Sequence, residues 1–182
     1  MRKDWIIKKL NNNYILRVER KIYKCQIGKR GTKSPTKKNE GDFSTPTGKW
    51  KVKRIYYRYD KVLTPKLKKQ FVFKTFKITK NCAWCDDNKS NFYNKYLDIE
   101  KLSNNDLSFE KLWRNDDVYD IILVLDHNFK PIIRNKGSAV FIHCSFHDFR
   151  DTAGCVALQK KDLIYLISKL KKNTSIIIGK NK

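Results

Sequence analysis

Apolar residues fall on alternate positions at Tyr14, Leu16 and Val18 and again at Tyr23, Cys25 and Ile27, which predicts two antiparallel strands joined near Arg20. Glycine and proline then crowd residues 28–48, a loop long enough to be either functional or mobile. Trp50, Val52 and Tyr56 resume strand alternation, and Phe71, Phe73 and residues 76–79 predict a further strand. Residues 88–116 are rich in Asn, Asp and Lys, with one short helical stretch at 109–113, so an irregular insertion is expected from about 81 to 116. The apolar run inside 118–126 reads as a central strand buried on both faces, followed by a turn that leaves His127 at the surface. Residues 138–144 alternate again, with Ala139, Phe141 and His143 on one face and Val140, Ile142 and Cys144 on the other. Leu163, Leu166, Ile167 and Leu170 stand at i, i+3, i+4 and i+7, the stripe of an amphipathic helix. Lys169, Lys171 and Lys172 would occupy its last turn, with Asn173 ending it, before a closing strand over 174–178. The expected fold is a strand-rich α+β sandwich or barrel with one main helix in its C-terminal half.

Length and composition narrow the picture. A chain of 182 residues with 40% hydrophobic content is expected to form one domain over 1–182. The net charge of +23 invites a nucleic-acid partner or an anionic polymer of a cell wall or membrane surface. Lysine supplies 32 of the 41 basic residues beside abundant Asn and Ile, a bias that an AT-rich genome produces without any binding role. No zinc-finger spacing, RNA-binding signature or clustered basic arm is present, so nucleic acid is not the expected partner. Residues 1–13 hold only Trp5-Ile6-Ile7 as an apolar run, short of the roughly 7–15 residues of a signal-peptide core. No stretch approaches the roughly 20 apolar residues of a membrane span. Five cysteines are an odd number, so at least one thiol stays unpaired within the chain.

Residues 137–158 concentrate the reactive groups, with two of the three histidines and two of the five cysteines. His143 ends a strand, a polar loop follows over 145–151, and Thr152-Ala153-Gly154-Cys155 places a thiol after a glycine that can turn tightly and bare its amides. A free thiol is mostly protonated at neutral pH, so it needs a base such as His143, and the amides around Gly154 and Cys155 can face an oxyanion. On residue types alone, a buried cysteine beside a half-buried histidine fits as well.

The order of parts resembles the catalytic signature of the L,D-transpeptidases of YkuD type: a histidine ending a strand, a loop, then Ser/Thr-His-Gly-Cys and a hydrophobic residue. His143, Thr152, Gly154, Cys155 and Val156 match. Ala153 stands where the family usually has a second histidine, and Ala157 where many members place Arg or Asn. Thr45-Pro46-Thr47-Gly48 entering a strand is a second family feature in the same order. The resemblance implies a β-sandwich core, Cys155 as nucleophile, His143 as base, the Gly154 region with Thr152 and Ala153 around the substrate, and no cofactor or metal. It further implies acyl transfer on peptidoglycan stem peptides to an amine, or to water, and a place in the cell envelope or periplasm. A non-catalytic binding domain on the same fold and a basic nucleic-acid-binding protein are the alternatives.

Cys82-Ala83-Trp84-Cys85 offers a rival chemistry, since Cys-x-x-Cys can be a redox pair or half a zinc site. A second pair is missing, and the residues that follow do not open a helix, which leaves a pocket-lining loop as the expectation. Trp84, Asp86 and Asp87 put two acids beside an aromatic in a very basic chain, and so are expected to flank the site and favour a substrate with a free amine.

Overall fold

The structure, a computed structural model, describes residues 4–62, 73–102 and 106–179. In chain order its strands are β1 (Trp5–Leu10), β2 (Asn13–Val18), β3 (Lys21–Gln26), β4 (Thr32–Lys33), β5 (Thr45–Pro46), β6 (Gly48–Trp50), β7 (Val52–Tyr57), β8 (Lys74–Lys77), β9 (Cys82–Cys85), β10 (Tyr96–Asp98), β11 (Phe109–Lys111), β12 (Ile121–Leu125), β13 (Phe141–Cys144), β14 (Val156–Leu158) and β15 (Ile176–Ile178). The helix α1 spans Lys160–Ile167. Ten strands form one large mixed sheet in the order β6-β15-β1-β2-β3-β14-β13-β12-β7-β8. It curls until its halves face each other across a core that joins Trp5, Ile7 and Leu16 to Ile55, Leu123 and Ile142, with α1 laying Leu163, Leu166 and Ile167 into it. This is the strand-rich sandwich that the pattern predicts, with one α-helix among the described residues.

The predicted hairpin is β2 and β3, paired from Ile15↔Lys24 to Val18↔Lys21. Sequence reasoning missed β1, because a strand half of whose residues are charged or exposed leaves only a short apolar run to see. Trp5 and Ile7 are its buried face, and β1 pairs with β2 on one side and β15 on the other. The alternation from Trp50 to Tyr56 is split between two strands: β6 pairs with β15, and β7 with β12. Lys51 makes the corner: its carbonyl accepts from the Asp126 amide, and its amide donates to the Asp126 carboxylate. Phe71 of the predicted strand lies outside the described residues, while β8 holds Phe76. The helix ends at Ile167 rather than among Lys169, Lys171 and Lys172, because the chain must turn through Lys171–Thr174 to lay Ile176 beside Trp5.

A second layer corrects the reading of 81–116 as irregular. β9, buried at all four residues, is the centre of a three-stranded sheet in the order β10-β9-β11, and residues 109–111 are strand rather than helix. Pairing to a buried strand overrides the weak β preference of an Asn- and Asp-rich stretch. Between this layer and the large sheet lies a second core with Tyr56, Ile78, Trp84, Leu112, Ile122 and Phe141. Cys82 belongs to that core, whereas Cys85 packs with Ala83 and Leu97 on the other face. Three residues apart on a strand means opposite faces, so the two thiols cannot act as one redox pair or share one metal. Among the described residues no group of three or more His, Cys, Asp or Glu is arranged to hold a metal ion. His127 is also corrected: it is buried, its ring edge-on to Trp50 at 5.0 Å and its Nε2 donating to the Lys136 carbonyl at 2.8 Å.

The 28–48 loop is fastened from within. The Asp42 carboxylate accepts from Lys38 Nζ at 2.6 Å, from Lys33 Nζ at 3.0 Å, and from the Asn39 and Ser44 amides. Burial pushes its carboxyl up, but these four donors outweigh burial and hold it well below the usual carboxylate range. At the head of the loop, the Gly28 amide donates to Thr45 Oγ1 at 2.8 Å while Gly28 bridges Thr152. A Cβ on Gly28 would lie 2.4 Å from the Phe43 carbonyl oxygen, a backbone atom that cannot swing aside. Gly28→Ala is therefore expected to destabilise the protein by about 1–3 kcal/mol, the usual cost of overpacking. Denaturant unfolding measures this, and a wild-type midpoint would show that the crossing has slack.

Candidate active site

Residues far apart in sequence meet around a cavity of about 630 Å³. One wall is Lys38 and Glu40 of the fastened loop; another is Asp86, Glu110 and Arg114 of the insertion; the floor is Tyr119 with the segment from Ser138 to His143. The turn from Asp151 to Cys155 closes it. Of the residues singled out in sequence, Cys155, His143, Gly154, Thr152, Ala153 and Asp86 all line this space.

His143 is third in β13, on the face that looks to the second layer, and is buried. Its Nδ1 lies 2.8 Å from the Cys144 carbonyl oxygen. A carbonyl only accepts, so Nδ1 carries the proton and Nε2 keeps the basic lone pair. Tyr119 meets the imidazole edge-on at 5.2 Å between ring centres. Burial lowers the pKa of His143 to about 4, with Arg114 adding to the shift and the Cys144 carbonyl opposing it.

Cys155 follows Gly154 at the mouth of β14 and is half-buried. Its Sγ donates to the Ala139 carbonyl at 3.0 Å and accepts from the Phe141 amide at 3.4 Å. The thiol thus rests on the backbone, with His143 lining the same cavity. Burial, and next the negative charge of Glu110, push its pKa up to about 12. Thr152 orders the turn: its hydroxyl donates to the Cys155 carbonyl at 2.7 Å and accepts from the Gly154 amide at 3.1 Å. Gly154 has φ +147 and would bring a Cβ to 3.1 Å from the Ser44 carbonyl oxygen, so glycine is required there. Ala153 is exposed at the rim, and Ala157 is fully buried in β14.

Trp84 and Asp87 are not brought to the cavity lining. Trp84 is buried, and its Nε1 donates to Asn94 Oδ1 at 2.9 Å. The same oxygen takes the Ala139 amide at 3.1 Å, and the Trp84 ring meets Phe141 edge-on at 5.2 Å, so Trp84 is linked to Cys155 through the two residues whose backbone holds its thiol. Ala139 has φ +49, which fixes the direction of the carbonyl that receives the thiol. The Asp87 carboxylate caps the Lys89 amide at 2.9 Å. Sequence reasoning passed over Glu110, Arg114 and Tyr119, since nothing in their spacing marks them; only pairing of β11 with β9 turns Glu110 toward the site.

A scan against protein families matches residues 3–178 to YkuD, the L,D-transpeptidase catalytic domain. Searches of curated proteins and of solved structures give no significant match. The match spans nearly the whole chain and includes every residue of the cavity, and on that ground the protein belongs to the L,D-transpeptidase catalytic domain family.

Proposed function

We propose that the protein is a cysteine acyltransferase acting on peptidoglycan stem peptides, with Cys155 as nucleophile and His143 as base. The observation that carries this reading is the committed Nδ1 of His143, which leaves Nε2 as a proton acceptor in the cavity that holds the thiol. The family acts on peptidoglycan, and no helix among the described residues is long and apolar enough to cross a membrane. A charge of +23 suits work beside anionic wall polymers, in the cell envelope or periplasm.

In the reaction, Sγ swings from the Ala139 carbonyl, passes its proton to Nε2 of His143 and attacks the carbonyl of the stem's diamino acid. The tetrahedral oxyanion is held by the Cys155 amide, for which no acceptor stands among the described residues; the Gly154 amide is engaged by Thr152. The C–N bond then breaks, His143 returns the proton to the departing amine of D-alanine, and a thioester remains on Cys155. An acceptor amine attacks the thioester, losing a proton to His143, and the thiolate is expelled and reprotonated. Water in place of the amine makes the same site a carboxypeptidase.

A carbapenem is opened by a nucleophilic thiol, so intact-mass analysis should find one adduct per chain, mapped to the Cys155 peptide and absent from Cys155→Ser. His143→Ala should slow its formation by roughly 10²–10⁴-fold, the usual worth of a positioned base. An adduct on another cysteine, or an unchanged rate in His143→Ala, would sink the catalytic reading and leave a binding domain on this fold.

The pH profile follows from the buried imidazole. A histidine with its pKa near 4 stays unprotonated, hence basic, through the range where an exposed one has already charged. Carbapenem acylation should therefore hold its rate from neutral pH through about 6.5 and fall only as pH drops toward about 4. Stopped-flow absorbance across that range decides it, and a rate that halves near pH 6.5 contradicts the burial of the base.

A further inference from the structure

Glu110 is a half-buried carboxylate of the cavity with no ion pair among the described residues. It lies in β11 opposite Trp84, and its side chain lines the cavity beside His143 and Cys155. The Tyr119 hydroxyl donates to Oε1, and the Tyr119 ring in turn packs edge-on against His143. Arg114 is the nearby cation, but its guanidinium grips Asp116 through Nε and an Nη. Lys38 is paired with Asp42, and Arg150 lies over Phe146 with Asp148 at 4.0 Å. The other acids facing the cavity are Glu40, which accepts from Tyr93, Asp86, which accepts from Ser108, and Asp151 at the rim. In a chain of net charge +23, Glu110 has no ion-pair partner among the described residues.

We propose that Glu110 holds Cys155 in its protonated, unreactive form while the site is empty, and that a primary ammonium group of the substrate, docking on Glu110, releases the nucleophile. The proposal deepens the acyl-transfer reading and rests on it for the identity of the substrate. A carboxylate beside a thiol disfavours the thiolate, and a cation placed on the carboxylate cancels that penalty. The charge of Glu110 is the largest contribution after burial to the raised pKa of Cys155. Burial raises the Glu110 carboxyl as well, against the Tyr119 hydroxyl and Arg114, as expected of an acid that lacks a partner. The Tyr119 tether keeps the carboxylate from swinging out to solvent, so the brake and the imidazole share one support.

Iodoacetamide alkylation of Cys155, followed by peptide mapping, reports the thiolate fraction without any wall substrate. Rates are measured against pH for the full chain and for Glu110→Gln and Glu110→Asp, each with and without cadaverine, a diamine that carries no carboxylate. Glu110→Gln should alkylate roughly tenfold faster at a fixed alkaline pH, a fall of about one unit in the thiol pKa. Glu110→Asp should stay near the wild-type rate, and cadaverine should speed the wild type but not Glu110→Gln. Equal rates in wild type and Glu110→Gln would overturn the proposal, as would cadaverine acting alike on both. Should Glu110→Gln fail to fold, a wild-type rate that cadaverine leaves unchanged overturns it too. A missing carbapenem adduct, by contrast, would remove the transpeptidase reading and leave these alkylation results standing.

Discussion

Gly28 runs so close beneath the Phe43 carbonyl that no side chain fits between them, and three segments are tied at that crossing. The Gly28 amide is held by Thr45, the Arg30 amide by Phe43, and the Ile27 carbonyl and Lys29 amide by the two backbone groups of Thr152. Thr152 then bonds the Cys155 carbonyl and the Gly154 amide. The position of the thiol is thus set by backbone contacts from chain more than a hundred residues away in sequence. Such contacts tolerate little adjustment, because a peptide group has no rotamers and an unmade buried hydrogen bond costs roughly 1–3 kcal/mol. The Thr-Pro-Thr-Gly run acquires a physical reason here: Thr45 supplies the hydroxyl that meets Gly28, and it also reaches the Cys155 carbonyl at 3.4 Å.

Parity of the central strands places His143. Ile121, Leu123 and Leu125 of β12 face the main core, while Ile122 and Val124 face the insertion; in β13, Ile142 and Cys144 face the core and Phe141 the insertion. His143 therefore shares the insertion side, where Tyr119 and the cavity are. A slip of one residue between β12 and β13 would bury the imidazole among aliphatic side chains. The register Ile122↔His143 is fixed because apolar residues on both faces of both strands have a core to enter.

This is also why some of the site was legible in the sequence and some was not. His143 and Cys155 carry their signal locally, in strand alternation and in a glycine before a thiol, and the hairpin, the central apolar run and the helical stripe follow from periods of two and 3.6 residues. β10 and β11 are three residues each, too short for any period to show, and their existence depends on β9 lying buried between them. Read as loop, the insertion gives Glu110 no reason to face inward. His127 was read from its turn neighbours, whereas Trp50, far off in sequence, decides its burial. Local pattern reveals what a segment's own backbone imposes; the walls of the cavity are imposed by pairing partners.

The same burial that places Cys155 and His143 around one cavity also sets their resting protonation. With the thiol pushed up to about 12 and the imidazole down to about 4, the neutral pair is favoured over thiolate and imidazolium across the whole range between. Both shifts have burial as their largest cause, so they share an origin in the second layer closing over β13. A preformed thiolate is therefore not the ground state of the empty site. The Ala139 carbonyl belongs to this resting state, since a protonated thiol in a half-buried position needs an acceptor. Ala139 is held in its left-handed conformation by Asn94, and Asn94 by Trp84, so the insertion that walls the cavity also fixes the resting contact of the Cys155 thiol.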